Sequence, residues 1–550
     1  MAYQKFLNSM FASFDLQETI HHYIERNSDV IVTFLDSMKA FDTVSHNGLK
    51  VKLSELGING KLWKLLDNMY FDLKSCIRCN NDVSRYFRLD RGVRQGSALS
   101  AKLYLIYINE LINIISNSGK GAVLVDLNVC CPVQADDIAL VTSNEHNMQT
   151  LINMCVNYSQ RWKFQFSPTK SQAMSFSKRK LSLNLRLDGR TIPSCETLKH
   201  VGIVLEHGFN STERTISACR SIKSTSMSII KQGIHPSVLN PVVCSKIILQ
   251  LCYTKALYGC ELWNNLTNNE KLLLERAHRY VCKYVQGLPK LTRSDKCTTL
   301  LGWTTIVGYI DTKKLLFVGR IINMPSKLLP RQVFLTRLML FYNKCTVTSG
   351  GFIPDIIQIL KKYDLFKFID SFVKSSQFPS QRHWKLLVKS SVHAKEEHSI
   401  MERFNIDSDF DYFKVIHKSI IPHRAWTIAK EHEHLRSQCQ FVVSLCSLVR
   451  PHEPKLLCHK RGSFYSDPII HIISNCSSVY RIRDELWCEF INIGPIDFSA
   501  MLHQMDDINL ALTVLSCDSE SIYNLSKHDA ELFSIACVSY VYKICKAFDV

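Results

Sequence analysis

The sequence predicts an α+β fold in which alternating strands and helices precede a long helical region. Short runs of β-branched and apolar residues alternate with stretches of helical periodicity up to about residue 215. From about residue 216 onward the apolar residues recur mostly at helical spacing, and no internal repeat or low-complexity tract is present. Since a single hydrophobic core rarely serves more than about 250–300 residues, the 550 residues predict more than one structural unit.

The first elements are predicted from apolar periodicity and from glycine. Residues 13–26 have the pattern of a helix, and Asp15 and Glu18 have the spacing of a capping box at its start. Residues 30–35 form a continuous β-branched apolar run that ends at Asp36, which predicts a strand buried on both faces. Residues 47–72 predict two helices separated at residues 57–60, which contain two glycines.

The next elements are a hairpin and a glycine-bounded loop. Residues 75–79 and 85–89 predict two strands joined by a turn at Asn80 and Asn81. Residues 92–96 predict a loop that leads into an amphipathic helix.

Two more strands and a helical region complete the prediction. Residues 123–129 and 133–141 predict strands, of which the second is interrupted by Asp136 and Asp137. In the helical region Thr267 has the capping-box spacing to a glutamate three residues later, and residues 346–550 are mostly helical in pattern.

The amino-acid composition is typical of a globular protein that binds a polyanion. A hydrophobic content of 46% with 21% charged residues is typical of an ordered globular chain. No stretch approaches the roughly 18 consecutive apolar residues of a membrane span, and Asp15 and Glu18 interrupt any N-terminal secretory signal. The formal net charge of +18 favours a polyanionic partner. The 21 scattered cysteines predict reduced and mostly buried thiols, with a few left for metal.

Three aspartates carry the chemistry that the sequence predicts. Asp36 ends a buried strand, and Asp136 and Asp137 are adjacent carboxylates flanked by apolar strand residues. Such a pair is costly without a partner, and a divalent metal with hard oxygen ligands, such as Mg²⁺, would stabilise it. Two such ions are a known arrangement for phosphoryl transfer. An Asp-Asp pair considered alone is more often a turn or a helix cap.

The chain resembles the reverse transcriptases of non-LTR (LINE-type) retrotransposons. Five segments resemble that family's motifs A to E in order, and a sixth resembles its thumb. They are FLDSMKAFDTV (Phe34–Val44), GVRQGSALS (Gly92–Ser100), QADDIALV (Gln134–Val141), SPTKS (Ser167–Ser171), LKHVGIVL (Leu198–Leu205) and LYGCELW (Leu257–Trp263).

The resemblance implies a right-hand polymerase with a catalytic carboxylate cluster. Asp36 and Asp136 are expected to bind two Mg²⁺ ions, with Asp137 adjoining the site. Lys170 matches the motif D lysine, a candidate general acid for the pyrophosphate leaving group, although a surface lysine is the default at such a position.

The resemblance also implies a set of substrate-binding residues. Phe41 matches an aromatic gate whose bulk would exclude a 2′-hydroxyl, whereas the residue alone suggests a core aromatic. Gln95 and Gly96 match the pair that lines the nucleotide and template path, where glycine permits close backbone approach. Arg94 is expected either to contact phosphate or to be solvated.

Three positions depart from the family pattern. Gln134 stands where motif C usually begins with an aromatic residue, Ala101 where motif B usually has proline, and Ser167 where motif D commonly has asparagine. Because the position of Gln134 is expected to support the hairpin and the primer end rather than bind metal, we expect that departure to tune the site rather than abolish it.

The expected organisation is a palm at residues 26–215, consisting of an antiparallel sheet with packed helices, and a helical thumb at residues 216–345. A helical region at 346–440, a degenerate Cys/His knuckle at 441–490 and a C-terminal helical region at 491–550 follow. Residues 1–25 are expected to be a remnant of the fingers, so the chain is interpreted as N-terminally truncated.

The predicted knuckle has three candidate zinc ligands. Cys458, His471 and Cys476 have the final spacing of the Cys-Cys-His-Cys knuckle that LINE-type proteins often carry. Lys455 occupies the position of the usual fourth ligand, for which His452 or Cys446 could substitute. Buried thiols beside a surface histidine are the alternative.

The resemblance implies an RNA-directed DNA polymerase that adds dNTPs to a DNA primer or target on an RNA template. A nuclear or ribonucleoprotein location and no membrane association are expected. The alternatives are a decayed retroelement copy that only binds nucleic acid, an RNA-dependent RNA polymerase and a group II intron maturase. The Gln95–Gly96 pair argues against the RNA-dependent RNA polymerase, and the LINE-like thumb segment argues against the maturase.

Overall fold

The fold is that of a computed structural model of the protein. The structure describes residues 5–177, 183–207, 212–343, 350–451, 456–458, 463–465, 467–520 and 522–548. The strands of these ranges are β1 (Val30–Asp36), β2 (Lys74–Ser75), β3 (Arg78–Cys79), β4 (Asp82–Val83), β5 (Phe87–Arg88), β6 (Val123–Leu124), β7 (Leu127–Asn128), β8 (Val133–Gln134), β9 (Asp137–Thr142), β10 (Gln172–Phe176), β11 (Arg186–Leu187), β12 (Arg190–Thr191), β13 (Thr197–His200), β14 (Ile203–Glu206), β15 (Leu456–Cys458) and β16 (Ser463–Tyr465).

Helices dominate the second half of the chain, and short 3₁₀ and π segments connect some of them. The α-helices are α1 (Ser9–Glu25), α2 (His46–Glu55), α3 (Gly60–Tyr70), α4 (Ser100–Asn117), α5 (Glu145–Arg161), α6 (Thr212–Lys231), α7 (Pro241–Ile248), α8 (Thr254–Ala256), α9 (Asn268–Gln286), α10 (Ser294–Leu300), α11 (Ile306–Ile322), α12 (Leu329–Tyr342), α13 (Phe352–Lys362), α14 (Phe366–Ser375), α15 (Gln381–Ile406), α16 (Phe413–Ile416), α17 (Arg424–Glu431), α18 (Arg436–Leu448), α19 (Pro468–Ile470), α20 (Tyr480–Ile491), α21 (Ile496–His503), α22 (Asp507–Ser516) and α23 (Lys527–Ala547). The order of elements confirms the predicted α+β class.

A four-stranded antiparallel sheet with the order β10-β1-β9-β8 lies at the centre of the N-terminal part. In β1, Val30 pairs with Phe176 of β10, and Ile31 pairs with Thr142 of β9. Because β1 is a continuous apolar run and has neighbours on both edges, it is buried on both faces, as predicted.

The two faces of this sheet belong to different hydrophobic cores. Side chains alternate along a strand, so Ile31 and Leu35 pack with α2, α4 and α5, whereas Val30 and Val32 pack with α1 and α11–α15. A third core joins α6–α10 to the helices after α15. The sheet is thus held between two helical layers, and its strand ends are left for a site.

Helix α1 corrects one part of the sequence prediction. It begins at Ser9, four residues earlier than expected, and Asn8 precedes it without a side-chain cap. Asp15 and Glu18 are therefore interior helical residues, and the predicted capping box is wrong. Both side chains are fully buried, because α1 lies between the sheet and α12.

Each of the two strands predicted within residues 123–141 is instead a hairpin of two short strands. Residues 123–129 form the hairpin β6–β7, with Val125 in left-handed conformation at φ 57°. Residues 133–141 form the hairpin β8–β9 rather than one interrupted strand.

Other local predictions are confirmed. The helices α2 and α3, the hairpin turn at Asn80 and Asn81, and α4 occur where expected. At the start of α9, Thr267 and Glu270 form the predicted reciprocal capping box.

Two compositional predictions can be compared with the described residues. No helix among them is both long enough and apolar enough to cross a membrane. The cysteines that the structure describes are free thiols, and most of them, such as Cys155 and Cys282, are buried, as predicted.

Candidate active site

The three predicted carboxylates meet at one end of the sheet. Asp36 is the last residue of β1 and is the register partner of Asp137, the first residue of β9. Asp136 precedes it in the turn of the β8–β9 hairpin, where Gln134 pairs with Asp137. The antiparallel ladder therefore brings together residues that are about a hundred positions apart in sequence.

The hairpin turn itself is strained. Ala135 has φ 58°, in the left-handed region that residues with a Cβ rarely adopt. Such backbone strain is often found at functional sites, and here it lies in the turn immediately before Asp136 and Asp137.

Crowding of like charges changes the acidity of this cluster. The pKa of Asp137 is raised above its ordinary value, first by partial removal from water and then by repulsion from Asp136 and Asp36. The pKa of the buried Tyr104 is also raised, chiefly by burial and next by the charge of Asp136. A bound cation would relieve the part of both shifts that comes from the aspartate charges.

The donor set fits a hard divalent cation such as Mg²⁺, since it consists of carboxylate oxygens that are open to solvent. Among the described residues no group of three or more His, Cys, Asp or Glu side chains could hold an ion by itself. Mg²⁺ commonly takes only one or two protein carboxylates and completes its shell with water and substrate phosphates. The cluster is therefore compatible with ions that arrive with a nucleotide.

The segment Ser167–Ser171 is hydrogen-bonded to the backbone of Asp36. The Asp36 amide donates to Ser171 Oγ at 3.1 Å, and the Ser167 amide donates to the Asp36 carbonyl at 2.8 Å. Lys170 is thereby carried to the site, with its Nζ 4.0 Å from Asp36 Oδ2 and its side chain 74% exposed. The predicted general acid and the predicted metal ligand are neighbours.

The loop before α4 is fastened to the segment that follows β1. The Val93 amide donates to the Phe41 carbonyl at 2.8 Å, and Gln95 Nε2 donates to Asp42 Oδ1 at 3.0 Å. Gly92 has φ 94°, and a Cβ there would lie 3.0 Å from the Asp42 carbonyl oxygen. Glycine is required at this position because the two backbones touch.

Phe41 is half-buried and stacks on Tyr104 of α4, with ring centroids 4.8 Å apart and an interplanar angle of 26°. The ring thus packs against the core while part of it stays accessible to solvent, and its role as a gate stays a prediction.

Arg94 and Gly96 are exposed in the loop before α4. Gly96 has φ 83°, and a Cβ there would meet nothing within 4 Å. Arg94 forms no ion pair with a described residue, so its guanidinium is available to an anionic ligand.

Sequence reasoning missed two residues of this site. Ser171 is fully buried and fixes the Asp36 amide, and Tyr104 supports Phe41. Ser171 lay within a recognised motif in which only Lys170 was singled out. Tyr104 lies four residues after the start of α4, and its helical spacing gave no signal beyond ordinary packing.

The predicted zinc ligands are only partly described. His471 and Cys476 are buried, and the Cys476 amide donates to the His471 carbonyl at 2.8 Å. The side chain of Cys458, together with His452, lies outside the described residues. The substitute Cys446 instead donates from Sγ to the Leu515 carbonyl at 3.3 Å. Zinc binding stays a prediction.

Comparison with known proteins finds a family model that matches the part of the chain containing this site. Residues 2–214 match the family model described as reverse transcriptase (RNA-dependent DNA polymerase). The chain is 21% identical over 289 residues to a probable RNA-directed DNA polymerase from transposon X-element of Drosophila melanogaster, covering 50% of this chain and 30% of that protein.

Two further relatives match shorter parts of the chain. A retrovirus-related Pol polyprotein from type-1 retrotransposable element R2 of Popillia japonica is 28% identical over 153 residues, which is 28% of this chain and 22% of that protein. The RNA-directed DNA polymerase from mobile element jockey of Drosophila funebris is 22% identical over 200 residues, or 35% of this chain and 21% of that protein. The chain thus spans less than a third of each of these relatives.

Proposed function

We propose that the protein is an RNA-directed DNA polymerase of the kind found in non-LTR retrotransposons, because residues 2–214 match the reverse transcriptase family model and the similar proteins include polymerases of mobile elements. It would extend the 3′-hydroxyl of a DNA primer with dNTPs on an RNA template. The observation that carries the proposal is the juxtaposition of Asp36 with Asp136 and Asp137 at the open end of the sheet.

Asp36 and Asp136 would hold two Mg²⁺ ions, and Asp137 would add to the negative field. The ions would supply charge stabilisation for the attacking and leaving oxygens of an in-line displacement. The contribution of the chain is to hold the carboxylates in place through the β1–β9 ladder and the Ser171 hydrogen bond.

In the proposed reaction the primer 3′-hydroxyl attacks the dNTP and Lys170 protonates the leaving group. The primer 3′-oxygen forms a bond to the α-phosphorus of the dNTP and loses its proton to solvent, while the bond from the α-phosphorus to the bridging oxygen breaks. Lys170, beside Asp36, would donate a proton to the departing pyrophosphate.

Positioning would depend on the loop before α4 and on Phe41. Gln95 and Gly96 would line the path of the nucleotide and template, and Arg94 would contact a phosphate. The ring of Phe41, held by Tyr104, would lie below the incoming sugar and exclude a 2′-hydroxyl.

The proposed domain boundaries follow from this assignment. Residues 26–215 would be the palm and residues 216–345 the thumb. The continuous sheet within the first range and the helices α6–α10, which belong to a core without the sheet strands, support this division. A zinc knuckle at 441–490 is retained as part of the proposal.

Primer extension by variants of the carboxylates tests the function. Asp36→Asn and Asp136→Asn each keep the shape of the side chain but remove a metal-binding charge, so the rate should fall by about 10²-fold or more. Asp126→Asn is the matched control, since Asp126 is exposed in the β6–β7 turn at the far end of β9. Equal rates for the wild type and the two site variants would reject the assignment.

The unmodified chain also decides between the two main alternatives. Extension of a DNA primer on RNA by residues 1–550 supports the polymerase. Retained RNA binding with no extension under any metal condition would instead identify a retroelement copy that only binds nucleic acid.

A further inference from the structure

A cleft in the helical region combines basic side chains with exposed tyrosines. It has a volume of about 590 Å³, within the usual range for ligand sites. It lies along the C-terminal half of α9 and the chain that follows, and we call it the α9 cleft. Its lining residues are His235, Arg276, Arg279, Tyr280, Lys283, Tyr284, Gly287, Leu288, Lys290 and Ser294.

The charged side chains that line the α9 cleft are all basic. Four of its lining residues are lysine or arginine, and none is aspartate or glutamate. Arg276 and Lys290 are exposed and form no ion pair with a described residue, whereas Arg279 is engaged by Glu275 and Asp295, each at 3.6 Å. The cleft therefore presents unneutralised positive charge to an anionic ligand.

A second large cavity shows that this is not a general property of the surface. It lies between α17 and the start of α23, and its lining includes the acids Glu431, Asp518, Glu520 and Glu531 beside its basic residues. Its mixed charges do not favour a polyanion.

The aromatic part of the α9 cleft is a pair of tyrosines one helical turn apart. The rings of Tyr280 and Tyr284 have centroids 4.8 Å apart at an angle of 46°, and the two residues are 38% and 37% exposed. Lys223 of α6 places its Nζ 5.4 Å from the Tyr280 ring centroid. Exposed rings beside cations form a platform on which a nucleobase stacks while its phosphate is held nearby.

The helix that carries the platform is held by packing on its opposite face and by hydrogen bonds at its end. The opposite face of α9 is anchored by the fully buried Leu274, Ala277 and Val281. The helix ends at Gly287 in left-handed conformation, and Lys283 Nζ then donates to the Lys290 carbonyl at 3.0 Å, which fixes the returning chain. Little ordering is needed on binding, which favours affinity.

We propose that the α9 cleft binds single-stranded nucleic acid, with an unpaired base stacked on Tyr280 or Tyr284 and neighbouring phosphates contacted by Arg276 and Lys290. A duplex would not supply the unpaired base that the tyrosine platform requires. The identity of the strand as template RNA or product DNA rests on the proposed function, whereas the binding chemistry does not.

Fluorescence anisotropy with labelled oligonucleotides of one sequence, as RNA, DNA and duplex, tests this inference in the absence of dNTPs. The combined Tyr280→Ala and Tyr284→Ala variant should bind the single strands about 10-fold more weakly or worse, since stacking contributes about 1–3 kcal/mol per base. The corresponding Phe variant keeps both rings and should bind like the wild type. Tyr480→Ala is the matched control, because Tyr480 is 52% exposed and also lies beside an arginine, Arg481, at 5.9 Å.

The dependence of affinity on salt concentration distinguishes the contribution of the basic residues from that of the tyrosines. Arg276→Gln with Lys290→Gln should reduce the slope of log affinity against log salt, because fewer counterions are released. The tyrosine variant should lower affinity at every salt concentration and leave the slope unchanged. Loss of slope in the tyrosine variant, without loss of affinity at low salt, would contradict the stacking role.

Photocrosslinking gives the location independently of total affinity. RNA and DNA carrying 5-iodouracil should crosslink to the peptide that contains Tyr280 and Tyr284, as read by mass spectrometry. A preference for RNA or for DNA identifies the strand. Crosslinks found only elsewhere, stronger binding of the duplex than of single strands, or competition by polyglutamate equal to that by the oligonucleotides would each overturn the inference.

Failure of this inference can be distinguished from failure of the proposed function. If the wild type does not extend a primer but its crosslinks still map to α9, the polymerase assignment fails and the cleft stands. If extension depends on Asp36 while the tyrosine variant binds normally, the cleft assignment fails and the polymerase stands.

Discussion

At the scale of single residues, the site consists of three neighbouring carboxylates and a stacked pair of aromatic rings. Asp36 and Asp137 are register partners, and partial removal from water, followed by repulsion from Asp136 and Asp36, raises the pKa of Asp137. Phe41 owes its position to Tyr104, which its sequence motif did not reveal. The motifs predicted the residues that would carry the chemistry. The residues that hold them in place, such as Tyr104, were visible only in the packing of the structure.

Sugar selection is the first consequence at this scale. Phe41→Ala should reduce the preference for dNTPs over rNTPs by on the order of 10²-fold, since only bulk excludes the 2′-hydroxyl. The measurement is kcat/KM for a dNTP and its matching rNTP. Tyr104→Phe, which keeps the supporting ring, is the control and should retain the preference. Unchanged discrimination in Phe41→Ala would mean that the ring only fills the core.

The acidity of Asp137 gives a dependence of stability on pH. Because its pKa is raised, the native state holds the proton more tightly than the unfolded state does. The stabilisation from that proton is present below the ordinary pKa and is lost as the pH rises through the raised value. Asp137→Asn should therefore raise the melting temperature slightly at neutral pH without Mg²⁺, and this gain should vanish in acid.

Thermal melts from acidic to neutral pH measure this difference. Asp126→Asn is the control, because Asp126 is exposed in a turn away from the cluster, and it should change the melting temperature little at any pH. A melting temperature of Asp137→Asn below that of the wild type at neutral pH would mean that Asp137 makes a stabilising contact in the folded protein.

At the scale of elements, the predictions succeeded where one local signal dominated. The strand β1 is a continuous apolar run, and α9 has a complete capping box, so both were predicted correctly. The start of α1 was missed because Asp15 looked like a cap, whereas it is buried in the helix interior. The hairpin β6–β7 was missed because Val125, a poor residue for left-handed backbone, occupies its turn.

The loop before α4 can be tested with two glycines of similar backbone and different surroundings. Gly92→Ala should destabilise the protein by about 1–3 kcal/mol and abolish extension, because the added Cβ meets the Asp42 backbone in a strained conformation. Gly96→Ala has the same backbone strain but free space, so it should destabilise less. Its activity should fall through a raised KM for the nucleotide, if Gly96 lines the nucleotide path.

Denaturant unfolding and steady-state kinetics on both variants give this comparison. Equal loss of stability in the two variants would show that the contact between the loop and Asp42 is unimportant. Gly96→Ala with unchanged KM would remove Gly96 from the substrate path.

At the scale of the whole molecule, α1 joins the sheet to the helical layer through a buried ion network. Arg337 of α12 donates from Nε to Glu18 at 2.9 Å and from Nη1 and Nη2 to Glu25 at 2.6 and 2.8 Å. The second oxygen of Glu18 accepts from the Phe352 amide at 2.7 Å. These partners are more than three hundred residues apart in sequence, so no local pattern could have predicted them.

Breaking this network should destabilise the molecule. Arg337→Met leaves two buried carboxylates without their partner and should lower the free energy of unfolding by about 3–5 kcal/mol. Replacing all three residues, with Glu18→Gln, Glu25→Gln and Arg337→Met, should recover part of that loss.

Urea unfolding monitors both variants. Arg403→Met is the control, because Arg403 is 44% exposed and its pair with Asp295 should contribute less than about 1 kcal/mol. An effect of Arg337→Met no larger than that of Arg403→Met would show that the buried network does not hold α1 in place.

The central claim, that the carboxylates at the end of β1 and β9 perform phosphoryl transfer, is tested most directly by single-turnover incorporation of one dNTP. A preformed complex with an RNA template and DNA primer isolates the chemical step from binding. Asp36→Asn should lower the incorporation rate by about 10²-fold or more while the affinity for template and primer stays at the wild-type value. Incorporation at the wild-type rate by Asp36→Asn in Mg²⁺ would contradict the account.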